Sequence, residues 1–101
     1  VIDKSFVNET FKDITNLNSF ICNNNNNVVN VFTLTSENGS QFIVSKSKDL
    51  EINLSQLYKD LSSQITIKGG GNNNTIQGNV SSEKLDELRE YVIIWLTNNS
   101  H

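Results

Sequence analysis

The chain has 101 residues, lacks Pro, Met and Ala, and contains 17 Asn and 12 Ser residues. Eight basic and 11 acidic residues give a formal net charge of −3, which disfavours a strong, autonomous nucleic-acid binder. A single cysteine excludes an internal disulfide and a thiolate metal cage, and no apolar run reaches the ~18 residues of a membrane span. We therefore expect one cytoplasmic domain (1–101) without a membrane segment. The missing methionine predicts that it is a fragment of a longer chain.

Six Asn-x-Ser/Thr triplets suggest a second class, a secreted glycoprotein domain. They begin at Asn8, Asn38, Asn53, Asn73, Asn79 and Asn98. Several such triplets arise by chance in a chain so rich in Asn, Ser and Thr. We therefore favour the composition of the chain, and not glycosylation, as the explanation of these triplets.

The N-terminal third is predicted to form a strand and a helix. Residues 1–8 form a short strand with Ile2 and Phe6 on one side. A capping-box pattern at 10–13 precedes apolar residues at helical spacing, which predicts a helix over 11–22. The apolar positions of that helix are Phe11, Ile14, Leu17 and Ile21.

The middle of the chain is predicted to form a β-hairpin at the centre of a sheet. Five consecutive asparagines at 23–27 form a loop, because Asn competes for backbone hydrogen bonds. Two β-prone runs, 28–35 and 41–46, flank an Asn38-Gly39 pair, which is a strong short-range hairpin signal.

Two more helices and a strand are predicted in the C-terminal half. Asn53 begins a helix over 53–65, a strand covers 75–80, and a helix covers 82–97 with an acidic first turn. These elements predict a mixed α/β (α+β) two-layer sandwich, with a mixed or antiparallel sheet of about four to five strands and three helices. We expect the helices to pack on one sheet face through Leu17, Ile21, Leu57, Leu61, Leu88 and Val92.

The segment between the last two helices is unusual, because four of the five glycines fall within 69–78. Glycine costs backbone entropy on folding, so its clustering suggests close backbone approach. The segment fits a flexible turn and, equally, a backbone-amide cradle for an anion or an RNA backbone. It matches neither the dinucleotide-binding fingerprint nor the Walker A loop.

This segment carries a resemblance to a known family. Residues 53–90 resemble the DHH-associated C-terminal domain in the version carried by alanyl-tRNA synthetases and AlaX-type alanyl-tRNA editing proteins. The matching features are a helix running into the glycines at 69–71, Gln77 and Gly78 at the family's spacing, and Glu-Lys-Leu-Asp-Glu at 83–87. The upstream order of elements extends the resemblance over nearly the whole chain.

The sequence departs from the family pattern in the same segment. Asparagines at 72–74 replace the usual Arg-Pro-Asp, and Asn79-Val80 replaces further glycines. The His and the Ala-Ala-Gly step of the related phosphoesterase version are missing after the triple glycine. This disfavours a nucleotide phosphodiesterase as the parent protein.

The resemblance implies an accessory tRNA-binding domain. We favour an AlaX-type alanyl-tRNA editing hydrolase as the parent, because the glycine segment is eroded relative to the synthetase pattern. The first alternative is the C-terminal tRNA-binding and dimerisation domain of an alanyl-tRNA synthetase. The others are an oligomerisation domain with decayed RNA binding, suggested by the apolar stretch at 91–96, and an accessory domain of a DHH-family phosphoesterase.

Editing chemistry needs a His/Cys zinc constellation, and this chain offers only Cys22 and a terminal His101. We therefore expect no catalytic residues, no metal and no cofactor here, with zinc in a parent editing domain. The expected partners are tRNA, through the parent chain, and a possible second copy in a homodimer. The implied nucleic-acid contacts are Lys68, Gly69, Gly70, Gly71, Asn74, Gln77 and Gly78, with Lys46 and Lys48 adding phosphate contacts.

Overall fold

A computed structural model describes residues 2–7, 9–36 and 39–99, and these residues form five strands and three helices. In chain order they are β1 (Ile2–Val7), α1 (Phe11–Asn24), β2 (Val29–Ser36), β3 (Gly39–Lys46), α2 (Leu54–Gln64), β4 (Ile67–Gly71), β5 (Thr75–Val80) and α3 (Leu85–Asn99). A short 3₁₀ turn (Ser82–Lys84) precedes α3. Some predicted positions lie outside the described residues, namely Val1 and Asn8 of the first strand, the hairpin residues Glu37 and Asn38, and the terminal Ser100 and His101.

The strands form one mixed sheet in the order β1-β2-β3-β5-β4. β1 runs parallel to β2, and the other neighbouring strands pair antiparallel. Ser36 pairs with Gly39 across the β2–β3 connection, which confirms the predicted hairpin. The predicted mixed α+β fold, with a mixed sheet of up to five strands and three helices, is confirmed.

Side-chain caps fix the starts of the first two helices where the sequence predicted them. Thr10 Oγ1 accepts a hydrogen bond from the Asp13 backbone N–H (3.2 Å), and Asn53 Oδ1 accepts one from the Gln56 N–H (3.2 Å). Within the described ranges, no helix is long and apolar enough to cross a membrane.

The helices cover both faces of the sheet, which corrects the expectation that all three pack on one face. α2 and α3 bury Val31 and Val44 on one face, whereas α1 packs through Ile14 against Phe32 and Ile43 on the other. Successive residues of a strand point to opposite faces. Because β2 and β3 are apolar on both faces, both faces need a helical cover.

The orientation of α1 corrects a second expectation. Leu17, predicted to be buried, is 37% exposed, and the face of α1 that meets the sheet carries Ile14 and Asn18. These two residues lie one helical turn apart, so they share a face, and Leu17 lies at its flank. Ile21 packs at the margin of the same cluster. The other predicted core residues of the helices are buried, namely Leu57, Leu61, Leu88 and Val92.

Candidate nucleic-acid interface

The three consecutive glycines form an edge strand, and the prediction of a turn or loop over 69–71 is wrong. β4 pairs antiparallel with β5, so that Gly69 lies opposite Gly78 and Gly70 opposite Gln77. A Cβ atom at Gly69 would collide with the backbone carbonyl oxygen of Gln77. The absent side chain therefore permits a closer approach of the two strands than any other residue would allow.

The β4–β5 hairpin presents a polar surface on the face of the sheet that α1 partly covers. Residues directly opposite each other on paired strands share a face. Gln41 of β3 pairs with Asn79, which pairs in turn with Lys68, and Gln77 pairs with Gly70. Lysine and amide side chains therefore surround a glycine on one side of the sheet.

This surface forms the floor of an open groove of about 550 Å³, because α1 packs over β2 and β3 and leaves β4 and β5 uncovered. The half-buried ring of Phe11, at the start of α1, lines the groove. The lining residues are Phe11, Gln41, Lys68, Gly69, Gly70, Gly71, Asn72, Thr75, Gln77, Gly78 and Asn79.

The charge of the groove is opposite to that of the chain. Lys68 lines it, and none of its described lining residues is Asp or Glu. The chain as a whole carries 11 acidic and 8 basic residues. A groove lined with amides and one ammonium group, with no carboxylate among its described lining residues, has groups suited to bind a phosphate.

The structure brings together six of the nine predicted contact residues. The groove contains Lys68, Gln77 and the four glycines Gly69, Gly70, Gly71 and Gly78. Asn74 and Lys46 instead line a separate hollow of about 300 Å³ that also contains the carboxylate of Glu51. Lys46 Nζ donates a hydrogen bond to the Leu50 carbonyl oxygen (2.7 Å). Lys48 is exposed in the turn after β3 and lines neither the groove nor this hollow.

Sequence reasoning missed several groove residues, and a signal for some of them was present. In β5 the polar residues Thr75, Gln77 and Asn79 alternate with Ile76 and other residues of the opposite face. This two-residue period places the three polar side chains on one surface. Phe11 and Gln41 could not be assigned in this way, because their proximity to β5 depends on the packing of α1 and on the strand order.

The three asparagines that replace Arg-Pro-Asp build the turn between β4 and β5. Asn72 Oδ1 accepts hydrogen bonds from the backbone N–H groups of Asn74 (2.8 Å) and Thr75 (3.0 Å). The Asn73 carbonyl oxygen accepts a bond from the N–H of Leu54, the first residue of α2 (3.2 Å). The substituted residues therefore hold the hairpin and connect it to α2.

Replacing Asn72 with alanine is expected to lower the free energy of unfolding by about 1 kcal/mol, because two backbone donors of the turn lose their acceptor. Asn72→Asp keeps an acceptor oxygen at the same position and is expected to retain most of this stability. Urea unfolding of both variants measures the difference. An alanine variant as stable as the wild type would show that the side chain does not hold the turn.

A buried polar row connects α1 to the floor of the groove. Asn18 Nδ2 donates to Ser45 Oγ (2.8 Å), and Ser45 Oγ donates to Thr75 Oγ1 (3.0 Å). Asn30 Nδ2 donates to Asn18 Oδ1 (3.1 Å), and Asn30 Oδ1 is buried without a hydrogen-bond partner among the described residues. Moving α1 away from β5 would break these hydrogen bonds and leave buried polar groups unpaired, which is costly. The row therefore holds α1 in position relative to β5.

The ionisable groups with shifted pKa values lie away from the groove. Burial raises the pKa of the Cys22 thiol. A hydrogen bond from Ser47, assisted by the Asn27 backbone N–H, lowers the pKa of the Asp49 carboxyl. In the part of the chain that the structure describes, no group of three or more His, Cys, Asp or Glu residues is placed to hold a metal ion.

Comparisons with known proteins identify similar sequences and folds. The family described as the DHHA1 domain matches residues 4–98. The C-Ala domain of Aquifex aeolicus alanyl-tRNA synthetase is similar with a TM-score of 0.77 and 17% identity, over 99% of this chain and 90% of that one. A pGpG-specific phosphodiesterase, PggH from Vibrio cholerae, is similar with a TM-score of 0.57 and 14% identity, over 71% of this chain and 24% of that one. Among curated proteins, none matches the sequence significantly.

Proposed function

The chain belongs to the DHHA1 domain family, and from that premise we propose that it is an accessory domain that binds tRNA through the groove beside the β4–β5 hairpin. The observation that carries the proposal is the composition of the groove. Its described lining contains a lysine, several amides, an aromatic ring and no carboxylate. The similarity to the C-Ala domain of an alanyl-tRNA synthetase supports tRNA as the nucleic acid.

The groove suits an unpaired nucleotide better than a duplex. Single-stranded RNA is recognised by stacking of bases on aromatic rings and by hydrogen bonds to base edges. Phe11 provides a ring at the groove wall, and Gln41, Gln77 and Asn79 provide amide donors and acceptors on its floor. Lys68 provides an ammonium group for a backbone phosphate.

Gly70 supports the same proposal, because its lack of a side chain has no packing explanation. Apart from Gly70 itself and its two chain neighbours, no described residue has a heavy atom within 4 Å of the position that a Cβ at Gly70 would occupy, and its backbone does not have a positive φ. By pairing with Gln77, Gly70 faces the groove. A glycine at this position keeps the floor of the groove open.

For the parent protein we propose an enzyme that acts on alanyl-tRNA, either an AlaX-type editing hydrolase or an alanyl-tRNA synthetase. The similarity to C-Ala supports the synthetase. The editing protein is supported by the sequence resemblance of residues 53–90, which implies either parent. The sequence upstream distinguishes them. An H-x-x-x-H followed by C-x-x-x-H, without a synthetase core, would identify the editing protein, and a class II synthetase core would identify the ligase.

A homodimer has less support than tRNA binding. The apolar stretch at 91–96 suggested it, but Val92 and Leu96 are buried in the core of the same domain. Ile94 is the one exposed side chain of that stretch. Most of this apolar surface is therefore used within the domain.

The proposal is tested by titrating the chain into fluorescently labelled tRNA. We expect binding at about 50 mM salt that weakens several-fold at about 200 mM, because each phosphate contact releases counterions. A duplex DNA of similar length is the control and is expected to bind more weakly. No detectable binding to tRNA at the lower salt concentration would contradict the proposal.

A further inference from the structure

A second hollow of about 620 Å³ lies at the end of β5, between the C-terminal end of α2 and the 3₁₀ turn. Lys68 and Lys84 provide two ammonium groups, and Ser81 provides a hydroxyl group.

This hollow adjoins the groove. Lys68 and Asn79, which are paired across β4 and β5, line both cavities. An RNA strand bound along the groove that extends past this residue pair would therefore reach the second hollow. Its path would follow the hairpin from the turn at 72–74 towards the 3₁₀ turn.

The charge of the second hollow favours an anion. Neither Asp nor Glu occurs among its described lining residues, as in the groove. Lys84 Nζ lies 3.3 Å from Glu87 Oε2, but both side chains are more than half exposed, at 56% and 58%. Such an exposed pair contributes little, so the Lys84 ammonium can exchange Glu87 for a phosphate at small cost.

We propose that the second hollow is a phosphate subsite, in which Lys84 binds a backbone phosphate of the RNA strand beyond the phosphate that Lys68 binds. The subsite rests on the proposed function, because the groove supplies the rest of the bound strand. It extends the RNA contact from the family's glycine segment to the start of α3. The hydroxyl group of Ser81 lies in the same hollow as a further donor.

The test uses salt-dependent binding of a labelled oligouridine of about 12 nucleotides, a length within the usual range for single-stranded sites. The variants are Lys68→Gln and Lys84→Gln, and Lys59→Gln on the exposed side of α2 is the control with the same change in charge. Each phosphate contact makes the slope of log affinity against log salt concentration more negative by about 0.7. We expect Lys68→Gln and Lys84→Gln each to make the slope less steep by about that amount, and Lys59→Gln to leave it unchanged.

The possible results distinguish a failure of the phosphate subsite from a failure of the proposed function. If Lys84→Gln keeps the wild-type slope while Lys68→Gln makes it less steep, the subsite is wrong and the groove proposal stands. If the wild type binds neither oligouridine nor tRNA, both proposals fail. Lys84→Arg retains the positive charge and is therefore expected to retain the wild-type salt dependence. A weaker salt dependence in this variant would also contradict a phosphate contact at residue 84.

Discussion

Replacing Gly69 with alanine is expected to destabilise the domain by about 2–4 kcal/mol. The new Cβ would collide with the carbonyl oxygen of Gln77, and this atom belongs to the backbone of the paired strand. A flexible side chain could move away, but β5 is also paired with β3 and cannot shift freely. The expected result is therefore the separation of β4 from the sheet, with exposure of Ile67 and a lower midpoint of urea unfolding.

Gly70→Ala is the matched control for this prediction. Beyond its two chain neighbours, no described residue has a heavy atom within 4 Å of the place that the alanine Cβ would occupy, so the methyl group fits without a collision. We expect its free energy of unfolding to stay within about 1 kcal/mol of the wild type, or to rise slightly, because alanine restricts the unfolded chain. Equal destabilisation by both substitutions would show that the close approach at Gly69 does not determine stability.

The helices could be predicted from the sequence because their determinants are local. Thr10 and Asn53 act as caps at the predicted positions, and the apolar stripe of α2 is buried. The β2–β3 hairpin was also local, since an Asn-Gly pair separates two β-prone runs. These features depend on neighbouring residues and not on the final arrangement of the fold.

Features that depend on tertiary contacts could not be predicted. Glycine is unfavourable in strands, so a strand at 67–71 is explained only by its pairing with β5. The apolar spacing of α1 favoured Leu17 over Asn18 as the buried residue. Asn18 faces the sheet because it bonds to Ser45, which is 27 residues away in the sequence.

The candidate site could be predicted in part. The glycine cluster and the family spacing of Gln77 identified the segment that contributes to the groove floor, but not that its glycines form a strand. Lys46 and Lys48 were proposed on charge alone, and charge does not determine which surface a lysine joins. Phe11 in the wall of the groove could not be predicted, because its position depends on how α1 packs over half of the sheet.

Replacing Gly70 with leucine is expected to weaken tRNA binding strongly. The leucine side chain would project from the groove floor into the space of about 550 Å³ between β4, β5 and Phe11. We expect it to weaken tRNA binding by at least about tenfold, or about 1.4 kcal/mol, with little change in the midpoint of urea unfolding. Gly70→Ala adds a single methyl group and is expected to have a smaller effect on binding.

Ser62→Leu is the control for an added apolar side chain, since Ser62 is exposed on α2 and lies outside the groove. It is expected to bind tRNA with the affinity of the wild type. A loss of binding shared by Ser62→Leu and Gly70→Leu would indicate a general effect of the added surface. Circular dichroism and urea unfolding of each variant establish that the compared proteins are folded.

The most direct test of the groove as the binding site is the tRNA affinity of the wild type, Gly70→Leu and Ser62→Leu, measured by fluorescence anisotropy at about 50 mM salt. We expect Gly70→Leu alone to lose affinity, while all three proteins unfold at similar urea concentrations. If folded Gly70→Leu binds tRNA as tightly as the wild type, the groove beside the β4–β5 hairpin is not the binding site.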